Sequence, residues 1–166
     1  MIVRIETIDE IKPLYREYLD YMRRFFEIHN FDSWCKGAMK NLQHYSIAVD
    51  RHIYILKESE SIIGFALVNK HFRFNTDGFA VAEFYIQKAH ERKGYGRKLA
   101  EHVFTQHTGN WEVAVSLKNK SALTFWKQVV SSYTEGNFIK KRNSSFCGYG
   151  FVFNSETESV NFRRIL

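Results

Sequence analysis

Hydrophobic and polar residues alternate along much of the chain in the way that is typical of β-strands. Strands are also indicated where β-branched and aromatic residues form a short run. These patterns predict strands at residues 2–6, 51–57, 62–71, 79–87, 111–117, 133–139 and 146–153. Residues 58–61 carry charged and small side chains between two of these strands, and we interpret them as a hairpin turn.

Apolar residues at three- and four-residue steps predict helices between the strands. The longest such pattern covers residues 11–28, with Pro13 in the first turn and Thr7 or Asp9 in position to cap the helix. In residues 29–36 the apolar side chains no longer recur at helical steps, and we interpret this segment as a loop. Further helices are predicted at 37–46, 95–107 and 119–130. The resulting order is β-α-α-β-β-β-α-β-α-β-β, with the tail from Asn154 unassigned.

Composition places the chain among ordinary globular proteins. Its 166 residues are 45% hydrophobic and 16% aromatic, which predicts a single domain over residues 1–166. No apolar run is long enough to span a bilayer, and the N-terminus lacks the apolar core of a signal peptide. Cys35 and Cys147 lie far apart and form no metal-binding or redox pattern. We therefore expect a reduced cytoplasmic protein without a metal ion.

A glycine-containing turn joins the fourth predicted strand to the helix that follows. Gly94 and Gly96 lie among four cations, Arg92, Lys93, Arg97 and Lys98. The first N–H groups of a helix lack carbonyl partners, and glycine lets a phosphate approach them closely. The turn therefore suits a pyrophosphate, although glycines here can also be plain turn residues. No third glycine follows at the dinucleotide-binding spacing, and no Gly-Lys-Ser/Thr occurs.

The formal net charge of +6 raises the alternative of a nucleic-acid partner. The basic residues are spread along the chain except for clusters at 92–98 and 140–142. An anionic cofactor accounts for the first cluster, and we interpret Lys140-Lys141-Arg142 as a solvated loop. We therefore expect no nucleic-acid partner, although that alternative stays open.

Two motifs in residues 82–127 resemble those of the GNAT superfamily of N-acetyltransferases. The stretch Arg-Lys-Gly-Tyr-Gly-Arg-Lys-Leu at 92–99 resembles its acetyl-CoA-binding motif. Asn-Lys-Ser-Ala-Leu-Thr-Phe-Trp-Lys at 119–127 resembles the helix written Asn-x-x-Ala-x-x-Phe-Tyr. The first half of the chain fits the family only by length and pattern. The resemblance implies the GNAT-like acyl-CoA N-acyltransferase fold, an α/β arrangement with a mixed, mostly antiparallel sheet and helices on both faces.

The resemblance also implies an activity, the transfer of the acetyl group of acetyl-CoA to a primary amine by direct attack in a ternary complex. Main-chain groups of residues 84–86 would pair with the pantetheine arm, and the amides from Arg92 through Arg97 would hold the pyrophosphate. Asn119 would bind the arm near the thiol, or cap its helix, or do both. The implied cofactor-binding residues are Phe84, Tyr85, Ile86, Glu91, Arg92, Lys93, Gly94, Tyr95, Gly96, Arg97, Asn119 and Trp126.

Glu83 is the candidate catalytic base, because an alkyl ammonium must lose a proton before it attacks. Strand alternation places Glu83 and Tyr85 on one face. The family's glutamate often lies nearer Ala80, and Glu83 can instead be a glutamate held by a core hydrogen bond. The main-chain N–H of Ile86 would stabilise the oxyanion.

Two positions depart from the family pattern. Glu91 occupies a site where the family has Gln or Arg, and we expect its carboxylate to point away from the pyrophosphate. Trp126 replaces the tyrosine that protonates the leaving thiolate, and an indole N–H cannot serve as that acid. We expect Trp126 to pack beside the cofactor, with Tyr133 as a distant alternative acid.

The acceptor amine is not identified by any pattern; a small metabolite, an antibiotic, a peptide N-terminus and a lysine all stay open. The resemblance places the acceptor wall between the first two helices. We therefore assign substrate binding to Phe26, Phe31, Trp34 and Tyr85. For Phe26, Phe31 and Trp34 the alternative that they are core aromatics is the favoured one. A catalytically silent acyl-CoA sensor is the alternative function, and either a monomer or a homodimer is compatible with the sequence.

Overall fold

A computed structural model describes residues 1–156 of the chain. The helices are α1 (Lys12–Met22), α2 (Phe31–Gln43), α3 (Tyr95–Gln106) and α4 (Lys120–Tyr133). The strands are β1 (Ile2–Ile5), β2 (His52–Glu58), β3 (Ser61–Asn69), β4 (Phe79–Ile86), β5 (Asn110–Ser116), β6 (Ile139–Asn143) and β7 (Phe146–Asn154). The predicted order of elements is confirmed. Most of the tail that the sequence leaves unassigned, from residue 157 onward, lies outside the described residues.

Within the described residues the strands form one seven-stranded mixed sheet of order β1-β2-β3-β4-β5-β7-β6. β1 pairs with β2 antiparallel, and β7 pairs antiparallel with both β5 and β6. β4 and β5 are parallel, with Phe79 opposite Trp111 and Val81 opposite Val113. Parallel neighbours need a long crossover, and α3 lies in the segment that connects these two strands.

The prediction of a loop at residues 29–36 is wrong from residue 31, where α2 begins. The Asn30 side chain accepts a hydrogen bond from the backbone N–H of Ser33 at 2.9 Å, which caps the helix. The first helix is shorter than predicted, because α1 ends at Met22 and a 3-10 turn follows at Arg23–Phe25. Neither Thr7 nor Asp9 caps α1, whose N-cap position is Ile11.

The predicted strand at 133–139 is present but misplaced, since it overlaps the observed β6 only at Ile139. α4 continues to Tyr133 because Val129, Val130 and Tyr133 recur at helical steps and are all buried. The strand begins at Ile139, so that Lys140-Lys141-Arg142 lie in β6 and not in a loop. Exposed charged residues on the last strand of a sheet are a common protection against pairing with other chains.

The chain divides into two compact units, and the prediction of a single domain stays a prediction. The first unit contains residues 1–67 and 83–96. Its core is formed by apolar side chains of α1, α2, β2, β3 and β4 together with the turns beside α1 and α2: Ile8, Ile11, Leu14, Tyr15, Tyr18, Leu19, Leu42, Tyr45, Ile53, Ile55, Phe65, Leu67 and Tyr85. Removing these side chains from water is the main stabilising contribution to this unit.

The second unit contains residues 68–82 and the described residues from Arg97 onward. Phe104 of α3 lies at the centre of its aromatic core, with ring centroids 5.0 Å from Trp111, 5.1 Å from Tyr133 and 4.9 Å from Phe153. No helix within residues 1–156 combines the length and apolar character needed to cross a bilayer.

Candidate functional site

Glu83 of β4 is a half-buried glutamate, and only one of its carboxylate oxygens has a hydrogen-bond partner among the described residues. The Tyr15 hydroxyl donates a hydrogen bond to Oε1 at 3.0 Å. The other oxygen, Oε2, is shielded from solvent and has no hydrogen-bond partner among the described residues. Tyr15 itself is fixed in the core of the first unit, with its ring 5.6 Å from Tyr18 and 5.8 Å from Phe65. The structure therefore orients one carboxylate oxygen and leaves the other shielded and without a hydrogen-bond partner in the described part of the chain.

Burial raises the pKa of the Glu83 carboxyl from its ordinary value of 4.5 to about 7, and the hydrogen bond from Tyr15 opposes this effect. The pKa values of Tyr15 and Tyr18 are raised, first by burial and then by the charge of Glu83. Both hydroxyls therefore stay protonated at neutral pH. A carboxyl that titrates near neutral pH is suited to accept a proton from a bound group and release it again.

Tyr85 shares the face of β4 that meets α1, as the predicted alternation requires. Its hydroxyl donates to Glu17 Oε1 at 2.8 Å, and Gln87 Nε2 donates to Glu17 Oε2 at 3.1 Å. Burial, followed by the bond to Glu17, raises the pKa of Tyr85. Tyr85 is thus held as a neutral donor, and its assignments to cofactor and substrate stay predictions.

Gly64 of β3 permits a close approach to the end of β4. A Cβ at this position would lie 2.5 Å from Ile86 Cδ1 and 2.9 Å from the Tyr85 carbonyl oxygen. The Gln87 N–H donates to the Ile63 carbonyl at 2.8 Å, which continues the contact between the two segments. The backbone of residues 84–86, the predicted pantetheine-binding stretch, is positioned by this packing.

The glycine-containing turn has an unusual backbone. A 3-10 turn at Lys88–His90 precedes it, and residues 91–94 are exposed. Arg92 has φ 59° and Gly94 has φ 84°, both in the left-handed region. α3 begins at Tyr95, so the turn delivers the first N–H groups of a twelve-residue helix. Glu91 is among the exposed residues, and its predicted orientation away from a pyrophosphate stays a prediction.

Glu58, at the end of β2, contacts both sides of this turn and was not singled out by sequence reasoning. The Tyr95 hydroxyl donates a hydrogen bond to Oε1, and His90 Nδ1 lies 3.1 Å from Oε2. The hydrogen bond from Tyr95, and then the neighbouring His90 and Lys93, lower the pKa of Glu58. No sequence signal connects Glu58 to residues more than thirty positions away, because only the folded sheet brings them together.

Two of the predicted acceptor-wall aromatics are in contact. Phe31 and Trp34 of α2 stack with ring centroids 5.8 Å apart, and the Arg23 guanidinium lies 5.1 Å from the centre of the Phe31 ring. Both rings are half-buried, whereas Phe26 is 45% exposed. None of the three is fully buried, so the alternative of core aromatics is not favoured for Phe26.

In the second unit, Asn119 caps α4, as one of its two predicted roles requires. Its Oδ1 accepts a hydrogen bond from the Ala122 N–H at 3.0 Å. Trp126 is 5% exposed and packs against Phe104 and Phe125. Tyr133 is 2% exposed within the same aromatic core, which favours a structural role over that of an acid. The cofactor contacts assigned to Asn119 and Trp126 stay predictions.

Glu112 of β5 is a second buried carboxylate that sequence reasoning missed. Its Oε1 accepts the N–H of Arg73 at 2.8 Å, and its Oε2 accepts those of Phe74 and Asn75 at 2.9 and 2.8 Å. Three backbone donors around one carboxylate fix the path of the segment between β3 and β4. A glutamate inside an apolar strand was the available signal, but the pattern does not say which donors it meets.

That segment also packs closely on β7. A Cβ at Gly150 would lie 2.3 Å from Phe74 Cδ2, so only glycine fits beneath the ring. The Phe146 ring is 6.0 Å from that of Phe74, and Asn143 Nδ2 donates to the Arg73 carbonyl at 2.9 Å. Residues of β6 and β7 therefore hold the same loop that Glu112 holds.

Comparison with protein families finds one informative match. The sequence profile described as the Acetyltransferase (GNAT) family matches residues 11–129. This range includes both motifs and the helices and strands between them. No curated protein matches the chain at a significant level.

Solved structures share the fold at low sequence identity. An acetyltransferase from Thermus thermophilus superposes with a TM-score of 0.68 at 14% identity, covering 93% of this chain and 97% of that one. PaiA N-acetyltransferase from Thermoplasma acidophilum, solved in complex with coenzyme A, gives 0.66 at 12% identity, covering 93% and 99%. A mutant of spermidine N-acetyltransferase SpeG from Vibrio cholerae gives 0.61 at 11% identity, covering 98% and 99%. These similarities confirm the α/β fold with a mixed sheet that the motifs imply.

Proposed function

This chain belongs to the acetyltransferase (GNAT) family, and from that premise we propose that it transfers the acetyl group of acetyl-CoA to a primary amine. The observation that carries the proposal is the surroundings of Glu83. One oxygen is oriented by Tyr15, the other is buried without a partner, and the pKa lies at about 7. A purely structural carboxylate is expected to have both oxygens satisfied.

In the proposed reaction the Glu83 carboxylate accepts a proton, directly or through an ordered water, from the acceptor ammonium, whose ordinary pKa is about 10.4. The free amine then attacks the thioester carbonyl carbon, a C–N bond forms and the C–S bond breaks. The attacking nitrogen loses its second proton, and the departing thiolate takes up that proton, directly or through water, so that the products are the acetylated amine and coenzyme A. Trp126 does not supply that proton, because an indole N–H does not ionise in this range.

Acetyl-CoA would be held chiefly by main-chain groups. Residues 84–86 would pair with the pantetheine arm as a strand does, and the amides of residues 92–97 would bind the pyrophosphate at the start of α3. The left-handed φ angles at Arg92 and Gly94 support this assignment, because they turn the chain abruptly into the helix. The complex of PaiA N-acetyltransferase with coenzyme A supports a ligand of this class.

A primary amine is the proposed acceptor class. The name of spermidine N-acetyltransferase SpeG supports it, since that relative in fold acts on an amine. Phe31, Trp34 and Tyr85 are the proposed wall residues, with Phe26 at the exposed end. We further propose a single domain, acting as a monomer or homodimer, without a bound metal ion.

The test is coenzyme A release from acetyl-CoA by the purified protein with a panel of amines. With an accepted amine, kcat/KM is expected to rise with pH through about 7 and then level off, because Glu83 must be ionised to accept a proton. Glu83→Gln should lower kcat at pH 7.5 by about a hundredfold or more. The variant should bind acetyl-CoA as the wild type does, which serves as the control for folding.

A Glu83→Gln variant with an unchanged rate would contradict the assignment of the base. Binding of acetyl-CoA without turnover on any amine would instead favour an acyl-CoA sensor, the candidate favoured by a buried Trp126 where the family has an acidic tyrosine.

A further inference from the structure

We propose that Glu58 is a positioning residue for the proposed acetyl-CoA-binding turn, holding residues 91–94 at both ends through His90 and Tyr95. The inference rests on the proposed function, since it concerns how well the protein binds coenzyme A. Glu58 lies in the hairpin of β2 and β3, whereas the turn joins β4 to α3. Glu58 belongs to neither of the two sequence motifs.

The geometry is that of a bridge across the turn. His90 is the last residue of the 3-10 turn at Lys88–His90, and Tyr95 is the first residue of α3. One oxygen of Glu58 accepts a hydrogen bond from the Tyr95 hydroxyl, and the other lies 3.1 Å from His90 Nδ1, a contact within ion-pair distance that does not have hydrogen-bond geometry. The two contacted rings are 6.1 Å apart. A single carboxylate therefore contacts the residue before the turn and the residue after it.

The backbone of this turn is exposed and strained, so contacts from outside the turn are needed to hold its conformation. Its four residues are exposed, and Arg92 occupies the left-handed region that side chains other than glycine rarely adopt. A strained backbone persists only where its surroundings determine it. Backbone N–H groups bind an anion well when they already point at it before the anion arrives. A fixed turn is thus a condition for tight binding of the pyrophosphate.

The charge of Glu58 makes it possible to tell a positioning role from a purely electrostatic one by the direction in which coenzyme A affinity changes. The carboxylate is ionised at neutral pH, since its contact with Tyr95 and the nearby positive groups lower its pKa. A negative charge close to a pyrophosphate site is repulsive, so a carboxylate that acted through its charge alone would weaken binding. Its removal would then tighten coenzyme A. A positioning role predicts the opposite sign.

The experiment measures coenzyme A and acetyl-CoA binding by calorimetry for the wild type, Glu58→Ala, Tyr95→Phe and Glu60→Ala. Glu60 is the matched control, since it is an exposed glutamate in the same hairpin and its loss changes the net charge equally. We expect Glu58→Ala to weaken the binding of coenzyme A by roughly three- to tenfold, as suits the loss of two contacts made by an exposed carboxylate. Tyr95→Phe should show part of that loss although it keeps the charge, and Glu60→Ala should bind as the wild type does or slightly tighter.

A second readout needs no ligand. Amide hydrogen exchange at residues 91–97 of the free protein should be faster in Glu58→Ala than in the wild type, and unchanged in Glu60→Ala. Equal or tighter binding by Glu58→Ala, or exchange identical to the wild type, would overturn the positioning role while leaving the transferase proposal in place. A wild-type protein that binds no coenzyme A at millimolar concentration would overturn the proposed function itself.

Discussion

Glu83 and Glu112 are two strand glutamates with opposite surroundings: Glu112 is 1% exposed, whereas Glu83 is half-buried and its Oε2 is shielded from water. Glu112, in the second unit, accepts three backbone N–H groups with both of its oxygens. Glu83, in the first unit, accepts one hydroxyl and has a buried oxygen without a partner among the described residues. The first arrangement fixes a loop, and the second leaves a carboxylate that can still take up a proton.

The difference shows that the location of a glutamate in a strand does not by itself tell whether its carboxylate is satisfied by hydrogen bonds. Transferring a charge from water is costly, and hydrogen bonds to the charged form recover that cost. At Glu112 the recovery comes from backbone groups that would otherwise lack partners themselves. At Glu83 the single hydrogen bond from Tyr15 does not offset the cost of burying the charge, and the pKa is therefore raised to about 7. The partners of the second oxygen distinguish the two roles.

The largest expected effect is on stability at Glu112. Glu112→Ala removes the acceptor of three backbone donors, and we expect the free energy of unfolding to fall by on the order of 4 kcal/mol. Urea denaturation monitored by circular dichroism measures it. Glu112→Gln, which keeps the shape and one acceptor oxygen, should lose less. A fall of under about 1 kcal/mol for the alanine variant would mean that water replaces the carboxylate, and the contrast with Glu83 would be lost.

Glu83→Gln should stabilise the protein, but only at higher pH. The folded state raises the pKa of Glu83 from 4.5 to about 7, so the folded state binds the proton more tightly than the unfolded state does. Stability from this group is therefore present below pH 4.5 and is lost as the pH rises to about 7. Relative to the wild type, the variant should gain at most about 3 kcal/mol at pH 8 and almost nothing at pH 4.

Unfolding curves of the two proteins at both pH values provide the measurement. Because every other titratable group is shared, the difference between them isolates Glu83. An equal difference at pH 4 and pH 8 would show that the carboxylate is already compensated in the folded state, as Glu112 is by its three donors.

The smallest expected effect is at Tyr15. Its hydrogen bond lowers the pKa of Glu83 against the larger effect of burial, so Tyr15→Phe should raise that pKa by about one pH unit or less. With an accepted amine, the acidic limb of the kcat/KM profile should move to higher pH. The rate should fall by up to about tenfold near pH 6.5 and recover toward the wild type at pH 9.

Carbon-detected titration of labelled glutamate provides a readout of the Tyr15 variant that does not depend on turnover, with Glu83→Gln to assign the signal. A rate reduced equally at every pH, with the Glu83 titration unmoved, would indicate that Tyr15 contributes packing and does not tune the carboxylate.

The two asparagine caps show what local sequence can and cannot reveal. Asn119 was recognised as a cap because a clear helical pattern follows it, and its contact with Ala122 confirms this. Asn30 caps α2 in the same way, but the polar and aromatic residues that follow it show no clear helical period, so the sequence does not predict the start of this helix. The strand at residues 133–139 was mispredicted because tyrosine suits both kinds of element, and burial against Phe104 decided for the helix.

The sequence by itself determined the order of helices and strands and, through two local motifs, the family, since each depends on residues close together in the chain; it made Glu83 a candidate only. Only the tertiary structure decided how the carboxylates are used. Glu83 meets Tyr15 across 68 positions, and Glu112 meets Arg73 across 39. Such contacts arise when strands and helices pack, and the pKa of a carboxyl follows from the partners and the water that packing leaves it.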